Sequence, residues 1–427
     1  MANYGEKQMK DFFENASVIV VGGGAAGMMA ALTAAKNGAD VLLFEKNDRL
    51  GKKLRITGKG RCNVTNDCDK NEFLQNVASN SKFLFAAISR FSTADTKEFF
   101  EDCGVPLKTE RGKRVFPQSD KAQDIVDALE NACVEAGVRI LNKKVDSVII
   151  EGGVICGVVA DGINYGAKSV IVCTGGASYP RTGSTGDGYR FAKTAGHSIV
   201  PIKPSLVPLV AKGRLCAHLQ GLSLKNVAIK VKDTTSGKIV YEDFGEMMFT
   251  HFGITGPLVL SASAHLSDIE SGKYVACIDM KPALDHKTLD ARILSDFSEC
   301  INKDFINSLD ALLPQKMIDA VVGLSGIDPR KKVNSITKEE RENLVSLIKN
   351  IEIPLEGFRP INEAIVTKGG VSVGEISPKT MESKIVSGLY FAGEVLDLDA
   401  YTGGFNLQIA FSTATLAGEN AAWNSFE

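Results

Sequence analysis

A glycine turn with the spacing Gly22-x-Gly24-x-x-Gly27 limits the fold of this 427-residue chain more than any other feature. It follows the β-branched run Val18–Val21, which predicts a strand, and it opens the stretch Ala25–Ala35, whose alanines and methionines favour a helix. A tight turn, a close approach of the backbone to a phosphate and a close helix–strand contact each need a residue without a side chain. The spacing in this setting predicts the first βαβ unit of a dinucleotide-binding Rossmann half.

An acidic residue stands where such a half contacts the ribose. The run Val41–Phe44 predicts the second parallel strand, and Glu45 follows it directly. A carboxylate there can accept hydrogen bonds from both ribose hydroxyls, and the N–H groups at Ala25 and Ala26 would face the phosphates at the positive end of the helix dipole. NAD and FAD share this fingerprint, so the turn by itself leaves both cofactors open.

Composition and charge argue against several function classes. The formal net charge of −2, with its charges scattered, gives no reason to expect a nucleic acid or an anionic membrane as a partner. The nine cysteines are odd in number and include no Cys-x-x-Cys pair, which favours a reducing cytoplasm. The five histidines lack metal-ligand spacing, so we expect no metal site. The uncharged stretch Ser17–Ala35 contains three consecutive glycines, which argues against a membrane span.

The order of predicted elements divides the chain into parts. Closely spaced prolines and alternating strand patterns begin after Gly196, and short strands with glycine turns return from Gly357. We therefore expect an α/β protein whose nucleotide-binding domain is formed by both chain ends and interrupted by a β-rich insert. The expected ranges are 1–196 for the first part of that domain, 197–356 for the insert with a helical subdomain at about 284–350, and 357–427 for its second part.

Two central segments favour a flavin over a nicotinamide as the resident cofactor. The buried run Val170–Cys173 ends in Thr174, Gly175 and Gly176, which resembles the strand that returns to the cofactor in two-dinucleotide-binding flavoproteins. Asp187, in a Thr-Gly-Asp-Gly segment before a helical run, resembles the fumarate reductase and succinate dehydrogenase flavoproteins. The alternative for Asp187 is an ordinary helix cap.

The C-terminal segment adds a third flavin signal. Gly393 and Glu394 follow a predicted strand at the position where such flavoproteins have a Gly-Asp pair against the ribityl chain, so a glutamate stands here in place of the aspartate. Gly404, Phe405 and Asn406 open the last predicted helix. Free N–H groups at a helix start suit the negative charge of a reduced flavin near N1 and the C2 oxygen. Ordinary helix capping is the alternative.

A glycine-punctuated basic loop, 46–66, supplies further candidate contacts. Lys52 and Arg61 can neutralise a pyrophosphate, and the amide groups of Asn63 and Asn66 can bind flavin edge atoms. Lys46 is a further candidate cofactor contact. A loop of this length inside a compact domain is usually functional. A purely structural polar loop remains the alternative.

Four segments together resemble one bacterial flavoprotein family, the BaiN-like and aminoacetone-oxidase-like FAD-dependent oxidoreductases. These segments are Gly51–Asn66, Thr367–Gly370, Thr380–Lys384 and Gly388–Asn406. The resemblance extends over nearly the whole chain. It implies a Rossmann-like domain that binds FAD non-covalently and a β-barrel-like insert with a helical subdomain. It also implies that a hallmark run lies against the FAD, including Gly60, Arg61, Cys62 and Asn63.

The resemblance implies hydride transfer through flavin N5 between NAD(P)H and a small organic substrate, such as reduction of a C=C bond conjugated to a carbonyl in a bile-acid-like or steroid-like molecule. The chain has no second glycine fingerprint after a strand, so NAD(P)H would act as a transient donor at the flavin. Two alternatives stay open: an oxygen-dependent amine oxidase, and a non-enzymatic flavin-binding partner in regulation or RNA modification. The catalytic candidates are His251, which could donate a proton, and Asn63 and Asn406.

Overall fold

The computed structural model describes residues 12–266, 269 and 271–426, and these form two compact units. Unit 1 comprises the described residues up to Ser205 and from Ala364 onward, and unit 2 comprises those of Leu206–Glu363. The sequence-based boundaries, 196/197 and 356/357, lie somewhat earlier in the chain. The difference arises because strand 199–205 pairs within unit 1, whereas strand 351–358 belongs to the sheet of unit 2.

The strands of the described residues are, in chain order, β1 (Glu14–Val21), β2 (Val41–Phe44), β3 (Thr65–Asn66), β4 (Leu107–Glu110), β5 (Arg114–Pro117), β6 (Arg139–Leu141), β7 (Val145–Glu151), β8 (Val154–Ala160), β9 (Ile163–Val172), β10 (Ile199–Ser205), β11 (Leu209–Ala211), β12 (Ser223–Asp233), β13 (Ile239–Phe249), β14 (Gly253–Thr255), β15 (Tyr274–Asp279), β16 (Ile351–Phe358), β17 (Val366–Val371) and β18 (Leu389–Phe391).

The α-helices of the same residues are α1 (Ala25–Lys36), α2 (Lys52–Ile56), α3 (Lys70–Gln75), α4 (Phe85–Arg90), α5 (Thr93–Asp102), α6 (Ala122–Glu135), α7 (Asp187–Thr194), α8 (Leu215–His218), α9 (Pro257–His265), α10 (His286–Ser298), α11 (Gln315–Ser325), α12 (Lys338–Lys349) and α13 (Phe405–Phe426). None of these helices is long and apolar enough to cross a bilayer.

A seven-stranded sheet in unit 1 brings the predicted cofactor segments to one edge. Its order is β6-β2-β1-β9-β8-β7, with β18 also paired to β9. The parallel register places Val21 beside Phe44 and Val172, and Val172 beside Phe391. The carboxyl ends of β2, β1, β9 and β18 therefore lie in one row, and the turns that follow them meet at the edge where α/β sheets bind ligands.

Helix packing fixes the sheet against a long buried helix. α13 packs on α1 so closely that a Cβ added at Gly418 would lie 2.5 Å from the carbonyl oxygen of Ala30. Most of α13 is buried, since its apolar side chains fill the core of unit 1. The helix extends to Phe426.

Unit 2 contains a closed barrel with the strand order β11-β14-β13-β12-β15-β16. Ile229, Phe249 and Leu355 are fully buried in one apolar core, which also includes side chains from α10, α11 and α12. The β-rich insert with a helical subdomain is therefore present. α12 begins with a capping box formed by Thr337 and Glu340.

The basic loop 46–66 differs from the sequence expectation. It contains the short helix α2 and a 3₁₀ turn at Thr57–Gly60. Gly51 allows α2 to begin because it takes a left-handed φ of 65° that most side chains disfavour. A segment that looked irregular from composition is thus largely ordered by backbone hydrogen bonds.

Candidate functional site

The three fingerprint glycines have different surroundings. A Cβ at Gly27 would lie 1.7 Å from the Gly22 carbonyl oxygen, and one at Gly22, whose φ is 105°, would lie 2.7 Å from the carbonyl oxygen of Cys173. At Gly24, by contrast, an added Cβ would meet no atom within 4 Å. Gly22 and Gly27 are required by packing, whereas Gly24 borders open space.

The start of α1 lies at the same open space. Gly24 is its N-cap residue and provides no side-chain hydrogen bond to the helix. The first N–H groups of a helix have no acceptor within the helix, and the dipole gives this end a partial positive charge. Ala25 is partly exposed, and Ala26 packs against Gly393, where an added Cβ would lie 2.8 Å from the Ala26 Cβ. This helix start can bind a pyrophosphate.

Glu45 is held in a fixed orientation at the end of β2. Its Oε2 accepts a hydrogen bond from the Gly23 N–H at 2.8 Å, and its Oε1 accepts from the Asn47 N–H at 2.7 Å and the Asn47 side-chain amide at 2.6 Å. Asn47 was missed by the sequence analysis, since nothing in the sequence distinguishes it from other loop asparagines. The carboxylate is therefore positioned beside the glycine turn, as a ribose contact requires.

We expect Glu45→Ala to weaken FAD binding about ten- to a hundredfold, because a charged hydrogen bond to ribose contributes about 1 to 3 kcal/mol. Flavin fluorescence on titrating the apoprotein with FAD measures the Kd. Asp146→Ala, at a residue outside the candidate site, is the control. An unchanged Kd in Glu45→Ala would exclude the ribose contact.

Lys46 and Asp187, two predicted cofactor residues, pair with each other. The Lys46 Nζ lies 2.6 Å from Asp187 Oδ2 and 2.6 Å from the Thr185 hydroxyl. Burial raises the pKa of Asp187, but the hydrogen bonds from Lys46 and Thr185 outweigh it, so the pKa lies below its usual value. This pair joins the end of β2 to the start of α7.

Glu394 joins segments that are far apart in the sequence. Its Oε2 accepts from Lys53 Nζ at 2.6 Å, and its Oε1 accepts from the Thr367 N–H at 2.9 Å and the Ser178 hydroxyl at 3.1 Å. Gly176 lies beside this group, since a Cβ there would be 2.3 Å from Thr367 Oγ1. We name Lys53, Ser178, Thr367 and Glu394 the Glu394 network.

Three members of the Glu394 network were not predicted from the sequence: Lys53, Ser178 and Thr367. Lys53 is one of several basic residues in its loop, and Thr367 lies in a segment that carries the family resemblance. The contact that unites them could not be found from spacing, because Lys53 and Glu394 are 341 residues apart.

The start of α13 is held against β3. A Cβ at Gly404, whose φ is 98°, would lie 2.3 Å from the Thr65 carbonyl oxygen. The Asn406 side chain is hydrogen-bonded to the backbone of Ala400. Its Oδ1 accepts from the Ala400 N–H at 3.0 Å, and its Nδ2 donates to the Ala400 carbonyl at 2.7 Å. The Phe405 ring is buried. These residues can therefore contribute N–H groups to a ligand through the helix start.

The basic residues predicted to neutralise a pyrophosphate have partners within the protein. Lys52 Nζ lies 2.7 Å from Asp48 Oδ1. Arg61 pairs with Glu110 and Asp120 and stacks over the Phe116 ring at 4.2 Å. Their contact with a cofactor stays a prediction.

Cys62 and the two remaining predicted glycines occupy contrasting environments. Burial raises the pKa of the Cys62 thiol to about 12, which makes it an inert packing residue. Gly60, with a φ of 83°, borders open space as Gly24 does. Gly175, with a φ of 72°, lies near Ser184. Both glycines take left-handed conformations that side chains rarely adopt.

Four buried side-chain oxygens among the described residues lack a hydrogen-bond partner: Asn63 Oδ1, Thr174 Oγ1, Tyr189 OH and Asp399 Oδ1. Buried polar atoms are almost always paired, so an orphan indicates a missing ligand or water. Two of the four, on Asn63 and Thr174, belong to residues predicted to contact FAD. Together with the open helix start at Gly24 and the oriented Glu45, they fit a bound dinucleotide.

His251 lies in unit 2, on the exposed turn between β13 and β14. Its ring contacts Phe252 edge to face at 5.0 Å between centroids, and the Arg359 guanidinium lies 4.5 Å from the centroid of the same Phe252 ring. Arg359 in turn forms an ion pair with Glu363 at 2.6 Å. Phe249, in the same segment, is fully buried in the barrel core and packs there.

Within the described chain, no group of three or more His, Cys, Asp or Glu could hold a metal.

Comparisons with known proteins agree with this geometry. Residues 16–420 match the family described as HI0933-like protein Rossmann domain. The 3-dehydro-bile acid delta(4,6)-reductase of Clostridium scindens is 32% identical over 94% of this chain and 98% of its own. The ribosomal RNA dihydrouridine synthase of Escherichia coli is 30% identical over 94% of this chain and 96% of its own.

A solved structure shows the same fold. The 3-ketosteroid-delta4-(5alpha)-dehydrogenase of Rhodococcus jostii RHA1 aligns with a TM-score of 0.52 over 97% of this chain and 98% of its own, at 15% identity. At this identity the likeness extends to the fold alone.

Proposed function

Since the chain belongs to the HI0933-like Rossmann-domain family and is an FAD-dependent oxidoreductase, we propose that it reduces a carbon–carbon double bond conjugated to a carbonyl group. The supporting observation is what two full-length relatives have in common. A bile-acid delta(4,6)-reductase and a dihydrouridine synthase act on very different molecules, yet each adds two hydrogens across a ring C=C bond. In a 3-oxo steroid and in uridine, that bond is conjugated to a carbonyl.

The residues at the sheet edge would hold the cofactor. The start of α1 at Gly24 would bind the pyrophosphate, Glu45 the ribose, and the N–H groups at Gly404, Phe405 and Asn406 the flavin pyrimidine edge. Asn63 and Thr174 would form hydrogen bonds with the flavin through the side-chain oxygens that have no partner within the protein. When bound, FAD supplies hydride at N5, and NAD(P)H is the proposed donor that restores it.

A proton is also needed at the substrate carbon next to the carbonyl. We propose His251 as its source, because its imidazole is exposed and an imidazole N–H can act as a general acid. The Asn406 side chain is bound to Ala400, so its proposed contribution is the backbone N–H.

Stopped-flow spectroscopy of the purified holoenzyme tests this function by separating the half-reactions. We expect NADH or NADPH to bleach the flavin without oxygen, and a neutral cyclic enone such as 4-androstene-3,17-dione to restore its colour with a saturated product. His251→Gln should slow only the enone step, about a hundredfold for a lost general acid. Equal slowing of both steps would exclude the proton-donor role. Oxygen consumption with aminoacetone, without enone turnover, would identify the amine oxidase instead.

A further inference from the structure

A buried histidine in unit 1 has a polar partner on each side of its ring. The His197 side chain is fully buried, its Nδ1 lies 3.1 Å from Glu375 Oε2, and its Nε2 lies 2.8 Å from the Ser383 hydroxyl. The same Glu375 oxygen accepts a hydrogen bond from the Ser198 N–H at 2.9 Å. We name His197, Glu375 and Ser383 the His197 clamp.

The hydrogen bonds of Ser383 determine which nitrogen of His197 carries the proton. The Ser383 hydroxyl oxygen accepts from the N–H groups of Ile385 at 3.0 Å and Val386 at 2.9 Å. A hydroxyl can accept two hydrogen bonds and donate one, so the Ser383 proton is donated to Nε2 of His197. Nε2 is therefore unprotonated, and the neutral ring donates from Nδ1 to Glu375. A second proton, on Nε2, would give the Ser383 oxygen three donors for two lone pairs and would break this contact.

Burial of the ring also disfavours the imidazolium. It lowers the pKa of His197 below the usual value, although the Glu375 carboxylate acts in the opposite direction. Other charged groups on the surrounding elements are exposed or engaged elsewhere. Lys193, Lys203, Lys379 and Lys384 are exposed, Glu382 accepts from the Gly388 N–H at 2.8 Å, and Lys368 acts electrostatically on Asp397.

The His197 clamp joins three elements that lead to candidate cofactor residues. His197 closely follows α7, whose first residue is Asp187. β10 begins directly after the clamp and pairs with β17, the strand that contains Thr367. The His197 ring also meets the Phe391 ring edge to face, at 5.1 Å between centroids, and Phe391 ends β18 two residues before Gly393. Loosening the clamp would therefore release α7, β10 and β18 from one another.

We propose that the His197 clamp is pH-sensitive: it is closed while His197 is neutral, and it opens and weakens FAD binding when the imidazole is protonated. The inference rests on FAD binding and not on the proposed substrate. The pKa of His197 in the closed clamp lies below the 6.5 of an unperturbed imidazole, so protons favour the open clamp. The stability of the closed clamp is thus fully present above about pH 6.5 and is lost as the pH falls towards the lowered pKa.

His197 is the histidine that titrates in unit 1, because the other four histidines belong to unit 2. The FAD affinity of the holoenzyme between about pH 8 and pH 5, measured from the flavin fluorescence released on dilution, tests the clamp. The Kd of the wild type should rise below about pH 6.5, by at most about tenfold per pH unit because one proton is involved. His197→Gln does not titrate, and its amide oxygen can still accept from Ser383, so its Kd should vary less with pH. His286→Gln, at an exposed histidine of unit 2, is the matched control and should follow the wild type.

Two results would overturn the inference. One is a wild-type FAD affinity that stays constant between pH 7 and pH 5, and the other is an equal pH dependence in the wild type and His197→Gln. Circular dichroism at each pH verifies that the proteins are folded. If His197→Gln does not fold, Glu375→Gln decides, since it removes the carboxylate that favours the imidazolium and lowers the pKa of His197 further. Its loss of FAD affinity should continue to a lower pH than that of the wild type, and a loss that levels off at the same pH would also overturn the inference.

Discussion

Gly27→Ala is expected to abolish FAD binding and to destabilise unit 1. The added methyl would lie 1.7 Å from the carbonyl oxygen and 2.9 Å from the carbonyl carbon of Gly22. Both are backbone atoms, so no side chain can move aside, and α1 must shift away from β1. Overpacking of this kind costs about 1 to 3 kcal/mol or more. Thermal unfolding by circular dichroism and the flavin absorbance of the purified protein measure the two effects.

Gly24→Ala is the matched control within the same turn. Gly24 has an ordinary φ of −84°, and an added Cβ would meet no atom within 4 Å, so the fold should tolerate alanine. We expect an almost unchanged Tm but weaker FAD binding, because the methyl would occupy the space proposed for the pyrophosphate. Two results would contradict the conclusion that packing requires Gly27 but not Gly24. One is an FAD affinity of Gly27→Ala equal to that of the wild type, and the other is equal destabilisation by the two substitutions.

Glu394→Ala is expected to lower the free energy of unfolding by about 2 to 4 kcal/mol and to reduce FAD occupancy. The Lys53 ammonium and the Thr367 N–H would each lose an acceptor, at 2.6 and 2.9 Å in the wild type. The side chains of Lys53 and Glu394 are only 22% and 21% exposed, so water replaces the carboxylate incompletely. Urea unfolding of the holoenzyme and the apoprotein separates stability from cofactor binding.

Lys53→Met supplies the second arm of a double-mutant cycle for the Glu394 network. Once Lys53 is absent, the Glu394→Ala substitution removes one interaction fewer, so the two effects should fall short of additivity by about 0.5 to 3 kcal/mol. Glu394→Gln should be milder than alanine, because its amide oxygen can still accept from Thr367. Strict additivity in the cycle would mean that Lys53 and Glu394 do not interact.

Local patterns in the sequence sufficed for the elements that support the site. The β-branched run before Gly22 forms the end of β1, the alanine-rich stretch forms α1, and the run Val41–Phe44 forms β2. These features depend on hydrogen bonds and apolar periodicity within a few residues, so neighbours in the sequence are enough to predict them.

Only the tertiary structure decided how those parts are used. It placed Arg61 in ion pairs with Glu110 and Asp120, and it enclosed the Asn406 side chain in the turn at Ala400. It also distinguished Gly27, which packing requires, from Gly24, which borders open space. Such partners are brought together by strand register and helix packing across hundreds of residues. The sequence by itself determined the residue types and the Rossmann half, whereas three-dimensional packing determined which polar groups are already paired and which remain available to a ligand.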